Sequence, residues 1–188
     1  MKDMEFFLKI FDNYNESIKK LLCAAEKDKN ISVNICGMPA DILDVKKEYA
    51  VAIGVAMGQS VNNVITPTIK SAKCLIDFFK ENGGRATFIP LDTILPQEDS
   101  DEIKQAVNES GVLGVATELV KYDCCYENVV SYLLGNTLVC DTCENAITIA
   151  KKYPNKFKIV TLCGELILTN GVLSGGSNQE KYGIYFKC

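Results

Sequence analysis

The sequence predicts an α+β fold of two lobes, each built on a mixed β-sheet flanked by helices. Three observations carry this. Short apolar runs of strand character alternate with amphipathic stretches along most of the chain. A polar, acidic stretch at 95–110, LPQEDSDEIKQAVNES, divides that alternation into two halves of the same style. Hydrophobic residues make up 47% of the 188 residues and charged ones 23%, which is enough apolar matter for a real core.

Taken in order, the first element is a helix. Met4, Phe7, Phe11, Tyr14, Ile18 and Leu21 step by threes and fours onto one stripe, with Lys and Glu on the other faces. The stripe stops near Asp28, in KDKN. Such a stripe suits an amphipathic helix packed on the domain, or, with Phe7, Phe11 and Tyr14 exposed, one that pairs with a second copy of itself. NISVNIC, Asn30 to Cys36, reads as a short alternating strand ended by Gly37. Pro39-Ala40-Asp41 marks a turn and helix start. KEYAVAIGVAM, Lys47 to Met57, continues as a helix with Tyr49, Ile53 and Ala56 inward, closed by Gly58. Asn63 to Thr66 is a strand. Thr68 to Glu81 is a helix with Ala72, Leu75, Ile76 and Phe79 inward. Gly83-Gly84 ends it, and Ala86 to Pro90 is a strand stopped by the proline.

The second half repeats the style. Val112 to Thr117 is apolar, Glu127 to Leu134 is a helix, and Thr137 to Cys140 is a strand. Cys143 to Tyr153 is a further helix and Lys158 to Leu162 a further strand. VTLCGELILTNGVLSGGS, from Val160 to Ser177, then places Gly171, Gly175 and Gly176 within six positions after strand-like residues. Glycines so dense either shape a hairpin or admit something close to the backbone.

Composition removes several functions. Histidine is absent, which eliminates Ser-His-Asp and Cys-His catalysis and the commonest metal ligand. The net charge of −4 excludes a chain that binds nucleic acid through overall basicity. Nine cysteines cannot all pair within one chain. The charge-interrupted N-terminus has no secretory signature, and no window reaches the ~18 apolar residues of a membrane span. The expectation is a cytoplasmic protein with reduced thiols. Cys140-Asp-Thr-Cys143 and Cys124-Cys125 have the look of zinc ligand pairs. They read better as cysteines standing in for small apolar residues, so no metal or cofactor is expected. A small α/β enzyme would have to draw on Glu118, Asp123 and Asp141, or on Cys163 as nucleophile, with no cation assignable to lower that thiol's pKa.

The glycine-rich segment does not fit a phosphate site. A P-loop needs a lysine and a hydroxyl after its last glycine, and here Ser177-Asn178 follow Gly176. A dinucleotide fingerprint needs GxGxxG opening a helix early in a βαβ unit. Small residues on and beside a strand do suit the approach of a second backbone.

Several ordered motifs carry a resemblance. They are Gly84-Arg-Ala-Thr-Phe-Ile-Pro-Leu-Asp92, Gly111-Val-Leu-Gly114, Leu119-Val-Lys-Tyr-Asp123, Tyr132-Leu-Leu-Gly-Asn-Thr-Leu-Val-Cys-Asp141, Val160-Thr-Leu-Cys-Gly-Glu-Leu-Ile167 and the closing Ser174-Gly-Gly-Ser177. From about Gly37 to Ser177 the chain resembles the hinge domain of SMC (structural maintenance of chromosomes) proteins. The resemblance implies a non-catalytic dimerisation module set mid-way along an antiparallel coiled coil, whose distant ATPase head is the ATP-binding part of the full-length protein. It implies residues 1–29 as a coiled-coil arm stub and 30–188 as the hinge, with lobe I at about 30–110 and lobe II at about 111–188. The first lobe of one subunit would meet the second lobe of another, most simply in a homodimer. Asn170, Gly171, Ser174, Gly175 and Gly176 would lie at that contact, with Gly111 and Gly114 as further candidates. Such an interface buries on the order of 1,200–2,000 Å².

The chain departs from the family pattern in two places. Asn170 stands where the family's glycine pair begins, and asparagine is among the few residues tolerant of positive φ. Past SGGS only Lys181 and Lys187 are basic. With Lys46 and Lys47 they would give at most weak, sequence-independent DNA contact. Kleisin and accessory subunits would be met only through the full-length protein, at the nucleoid. The returning arm is missing, so the chain reads as an excised fragment.

Overall fold

A computed structural model describes residues 14–176. Met4, Phe7 and Phe11 of the N-terminal stripe lie outside the described residues, as do Ser177, Lys181 and Lys187.

Each half is organised around one strand–helix–strand unit with parallel strands. In the first, β2 (Val64–Thr66) leads through α3 (Ile69–Asn82) to β3 (Phe88–Pro90), in the register Val64↔Phe88, Ile65↔Ile89 and Thr66↔Pro90. In the second, β6 (Thr137–Cys140) leads through α6 (Cys143–Lys152) to β7 (Lys158–Thr161), with Leu138↔Ile159 and Val139↔Val160. Both helices start on a threonine. Thr68 accepts from the Ser71 N–H at 3.1 Å, and Thr142 from the Asn145 N–H at 3.4 Å, each satisfying a donor that the first turn leaves orphaned. A helix precedes each unit: α2 (Ala50–Met57) after the tight turn Lys47–Tyr49, and α5 (Glu127–Leu134) after Cys124–Tyr126.

The halves are copies of one plan. The displacement that carries Tyr49 to Tyr126 also carries Ala50 to Glu127 and Gly58 to Gly135. A slightly shorter one carries Thr68, Ala72, Leu75 and Phe79 to Thr142, Ala146, Ile149 and Tyr153. The two-residue strands β1 (Asp44–Val45) and β5 (Val120–Lys121) occupy matching places in the two halves and pair antiparallel with each other. Matching strands that pair antiparallel lie about a local two-fold axis between the lobes.

What differs is the sheet around each unit. The second half has five strands in the order β4-β6-β7-β8-β9, adding β4 (Val112–Val115), β8 (Leu166–Ile167) and β9 (Leu173–Ser174), each antiparallel to its neighbour. The first half has only β2 and β3, extended on the β2 side by a single bridge from Gly37 to Ile65.

Packing follows from the patterns. Leu138 and Ile159 face one apolar cluster while Val139 and Val160 face another. That is why TLVC and KIVT are continuously apolar, as parallel strands covered on both faces must be. The central cluster takes residues from both halves. Ile53, Val45, Ile65 and Ile89 come from the first, and Val120, Val130, Leu134, Val139 and Val160 from the second. Helix α2 runs through it, and Ala52 to Met57 are all buried. An inward face of Tyr49, Ile53 and Ala56 is therefore too narrow a reading, because a helix packed on all sides has no solvent stripe.

Helix α1 (Glu16–Lys27) is docked on the first lobe. Tyr14, Ile18 and Leu21 pack with Met38, Val64, Leu75 and Phe79, and Ile18 and Leu21 are fully buried. Tyr14 is buried, as in a helix packed on the domain, and is not exposed for pairing with a second copy. Polar contacts add to the docking. The Arg85 N–H donates to Ser17 Oγ at 3.2 Å, the Asn15 N–H to Asn62 Oδ1 at 3.0 Å, and Lys20 Nζ to the Asn82 carbonyl.

Other expectations are corrected. Asn30 to Cys36 is not a strand. Asp28 caps a helical turn at Lys29–Ser32, accepting from the Asn30 N–H at 2.8 Å, and Val33 is exposed. Only the end of that segment reaches a sheet, where the Cys36 N–H donates to the Ile65 carbonyl at 2.8 Å. Ile76 does not face inward with Ala72, Leu75 and Phe79, and it remains 42% exposed. The acidic stretch contains α4 (Asp101–Ala106), capped by Ser100, with Ile103 and Ala106 fully buried against the second-half sheet.

Candidate functional site: an open-edged glycine hairpin

β8 and β9 form a hairpin at one edge of the five-stranded sheet, in the register Leu166↔Ser174 and Ile167↔Leu173. Its turn is held by three bonds. The Gly171 N–H donates to the Leu168 carbonyl at 2.9 Å, the Leu168 N–H to the Val172 carbonyl at 2.9 Å, and the Val172 N–H to Asn170 Oδ1 at 3.1 Å. Positive φ falls on Gly171, at +81°, and not on Asn170. Asparagine therefore serves this turn through its side-chain oxygen, not through backbone tolerance.

The glycines beyond the turn have different reasons. A Cβ on Gly175 would lie 3.1 Å from Glu165 Cγ. That side chain is pinned: its carboxylate accepts from the Thr161 hydroxyl, and Thr161 Oγ1 accepts in turn from the Glu165 N–H at 3.1 Å. A Cβ on Gly176 would meet nothing within 4 Å, so packing inside the chain does not require a glycine there, although its φ of +142° does favour one. All of 170–176 is exposed, with Val172 at 50% and Leu173 at 51%. No strand among the described residues lies on the outer side of β9. Two apolar side chains on an unpaired strand edge form an adhesive surface.

Gly111 and Gly114 lie at the far side of the same sheet, on and before β4, so one chain does not bring them to the hairpin. A Cβ on Gly111, at φ +83°, would fall 2.2 Å from Asn145 Nδ2. The space it leaves lets Asn145 donate to Asp141 Oδ1 at 2.8 Å while the Asp141 N–H donates to the Gly111 carbonyl at 2.9 Å. Gly114 sits at a register shift in β4 with Leu119 against it.

The first half offers a second open edge. Val64 N–H donates to the Thr87 carbonyl and Leu91 N–H to the Thr66 carbonyl, both at 2.9 Å, which turns the backbone of Phe88 away from β2. Pro90, with no N–H to offer, suits such an edge. Beside it is a groove of about 150 Å³ lined by Ile76, Phe79, Lys80, Gly84, Arg85, Ala86 and Phe88. Sequence reasoning missed this groove, because it placed Ile76 inward with Ala72, Leu75 and Phe79.

The remaining candidates do not converge. Lys46 and Lys47 are exposed, and Lys46 borders a groove of about 250 Å³ that also holds Lys121, Asp44 and Glu118, so its charges alternate. Burial pushes the Cys140 thiol up to about 12. Cys36, Cys125 and Cys143 are also raised, chiefly by burial, the opposite of an activated nucleophile. Asp141 is held below the usual carboxylate range by Asn145, and Asp123 caps the turn at Cys124–Tyr126. Among the described residues no three of His, Cys, Asp or Glu come together as a metal set, and no helix is long and apolar enough to cross a membrane.

Comparison with known proteins gives one answer. The family described as SMC proteins Flexible Hinge Domain matches residues 33–150. The chromosome partition protein Smc of Clostridium kluyveri is 34% identical over 177 residues, 93% of this chain and 15% of its own length. That of Bacillus subtilis is 33% identical over 173 residues, 91% of this chain and 14% of its own. The chain thus spans about one-seventh of such relatives. Among solved structures, an asymmetric dimer of the Geobacillus stearothermophilus SMC hinge domain matches with a TM-score of 0.80 at 28% identity, covering 90% of this chain and 69% of that one. The Pyrococcus furiosus SMC protein hinge domain matches at 0.64 and 29%, covering 86% and 90%.

Proposed function

This chain belongs to the SMC hinge domain family, and on that premise we propose that it is a non-catalytic dimerisation module that joins two copies through the glycine-rich hairpin. The observation that carries the proposal is the outer edge of β9, where Val172 and Leu173 stand half-exposed beside Gly175 and Gly176. Asn170, Gly171 and Ser174 shape that edge, and Gly176 leaves the approach open. The contact is self-complementary within a homodimer and closes symmetrically, without leaving a free adhesive surface. In a full-length chromosome partition protein, such a hinge would hold together two arms whose far ends carry the ATPase heads and meet the kleisin, at the nucleoid. Any DNA contact through Lys46 and Lys47 is weak, sequence-independent and lost as salt rises, and a titration of labelled duplex at two salt concentrations measures it.

The test is solution mass by light scattering under reducing conditions. The monomer is 20.7 kDa, and the proposal expects twice that mass. Leu173→Glu places a charge on the exposed edge without touching the core, and a folded monomer is expected. A wild-type chain that is monomeric at every accessible concentration would overturn the proposal.

A further inference from the structure

Asparagine followed by glycine occurs twice in the sequence, at Asn82-Gly83 and at Asn170-Gly171. Glycine has no side chain to shield its backbone nitrogen, so at this step an asparagine side chain is most open to attack by the amide that follows it. Both steps are exposed, and the fold treats them differently. Asn82 is the last residue of α3. Its Nδ2 donates to the Phe78 carbonyl at 2.9 Å, and its own carbonyl accepts from Lys20 Nζ. The first of these bonds turns the side chain back along the helix, away from Gly83. Asn170 lies instead in the turn between β8 and β9, where its Oδ1 accepts from the Val172 N–H at 3.1 Å. The ring closed by that bond contains the Gly171 nitrogen, so the side-chain carbon Cγ is folded over the peptide that would attack it. The Val172 N–H is also placed to stabilise the negative charge that attack develops on Oδ1. Nδ2 of Asn170, the leaving group, has no hydrogen-bond partner among the described residues.

We propose that Asn170-Gly171 is a site of spontaneous deamidation, and that its iso-aspartyl product unlocks the hairpin. The Gly171 nitrogen gives up its proton and forms a bond to Asn170 Cγ, the Cγ–Nδ2 bond breaks, and ammonia leaves carrying that proton. Water then opens the cyclic imide at either carbonyl. Opening at Cγ yields aspartate. Opening at the backbone carbonyl carbon of residue 170 yields iso-aspartate, in which the main chain runs through the former side chain. Water is the only co-reactant, and nothing is oxidised or reduced. The Gly171 N–H donates to the Leu168 carbonyl at 2.9 Å, so the turn must open for the attack. Opening is cheap there, because β9 is two exposed residues with no strand among the described residues on its outer side. The two products differ in consequence. Aspartate keeps an oxygen where the Val172 N–H needs an acceptor. Iso-aspartate adds an atom to the backbone between Leu168 and Val172, the pair whose hydrogen bond closes the loop beside Ile167↔Leu173. Loop length fixes the register of a hairpin, so this product loses the alignment of β9 on β8. The modification is independent of the dimer reading above, and only its effect on self-association rests on it.

Peptide mapping by tandem mass spectrometry tests the site. The purified chain is held dilute, where a second copy does not shield the turn, at mildly alkaline pH, which supplies the deprotonated amide, and is sampled over time. Asn170 is expected to deamidate at least about fivefold faster than Asn82, the factor that one net hydrogen bond is worth. The same chain unfolded in urea is the control: both steps are then free of the fold, and the two rates should converge. A folded chain in which Asn170 reacts no faster than Asn82 overturns the proposal. The same ratio in urea as in the fold overturns the role of the turn, since neighbouring residues would then be the cause. Light scattering tests the consequence. Ion exchange separates the aged, more acidic chain, and its iso-aspartyl fraction is expected to self-associate at least about tenfold more weakly than fresh protein. Asn170→Asp carries the charge without the longer backbone and should associate more tightly than that fraction. If fresh protein dimerises and the iso-aspartyl chain dimerises equally well, the unlocking of the hairpin is overturned. If fresh protein is monomeric while Asn170 still reacts first, the dimer reading fails and the modification site stands.

Discussion

Leu21→Ala tests whether α1 is part of the hinge or only the stub of an arm. Leu21 is fully buried in a cluster with Val64 of β2 and Leu75 and Phe79 of α3. Those neighbours cannot easily close a gap. Val64 is fixed by parallel pairing with Phe88, and α3 is fixed at its start by Thr68 and by Asp92, whose carboxylate accepts from the Ile69 N–H at 2.9 Å. Truncation therefore loses the transfer free energy of the side chain and leaves much of a cavity, about 2–5 kcal/mol in all. With a urea m-value of about 1–3 kcal/mol/M, a loss of about 3 kcal/mol lowers the unfolding midpoint by about 1–3 M with little change in slope. The assay is urea unfolding followed by circular dichroism, at one fixed protein concentration so that self-association contributes equally to every midpoint. Val33→Ala, at an exposed position, is the reference and should cost no more than about 0.5 kcal/mol. If Leu21→Ala moves the midpoint no further than Val33→Ala does, α1 is not part of the hinge core and the reasoning fails.

Two more outcomes follow from the geometry. Gly111→Ala puts a Cβ at 2.2 Å from Asn145 Nδ2 on a backbone with φ of +83°, and should destabilise the chain by about 1–3 kcal/mol in the same assay. Adding Asn145→Ala should restore only part of it, because the backbone strain remains. Cys140 gives a pH dependence: its thiol is pushed up to about 12 in the fold from an ordinary value of 9.0. Below pH ~9 both states hold the proton and stability is unaffected. Between pH ~9 and ~12 only the unfolded chain releases it, so stability falls as pH rises. Cys140→Ala should flatten that decline in unfolding midpoints measured across the range, and an unchanged slope would show that burial of this thiol is not its source.

Much of the second half was legible in sequence because its signals are local. The helix at Glu127–Leu134 carries its own period, the strand at Thr137–Cys140 is a continuous apolar run, and each is closed by glycine or a turn. Lys29–Ser32 was misread because alternation over seven residues was taken for a strand, while Asp28 supplied a helix cap that competes with it. Helix α4 was hidden because only Ile103 and Ala106 of its six residues are buried, too few to set a period. The strands β1 and β5 are two residues each and exist only through one another, so neither has a signature of its own. The internal duplication was illegible for a similar reason. Its halves share a tyrosine, a glycine, a threonine cap and an alanine at matching places, while other matched positions differ even in size and polarity, as Ala50 and Glu127 or Phe78 and Lys152 do. Of the candidate site, the glycine spacing announced a hairpin. The groove beside β3 had no motif at all, since it is formed by an exposed helix residue, Ile76, and the strand residue Phe88, which share no sequence period.

The two lobes of one chain do not have the means to move against each other. Val45 and Val120 pair across the local two-fold axis and are both buried, and α2 is enclosed by apolar residues of both halves. Separating the lobes would expose Ile53, Val130 and Leu134 among others, at about 1.5–3 kcal/mol for each large side chain. Such a sum is comparable to the 5–15 kcal/mol that holds an ordinary domain folded, so separation would amount to unfolding. The edges of β9 and β3 are different in kind. Each is a short strand whose outer edge lies beside half-exposed apolar side chains, and that edge can gain or lose a partner while the core on its other side stays intact. On the proposed dimer reading, the compliant element is the contact between copies, and each chain is a rigid block on either side of it.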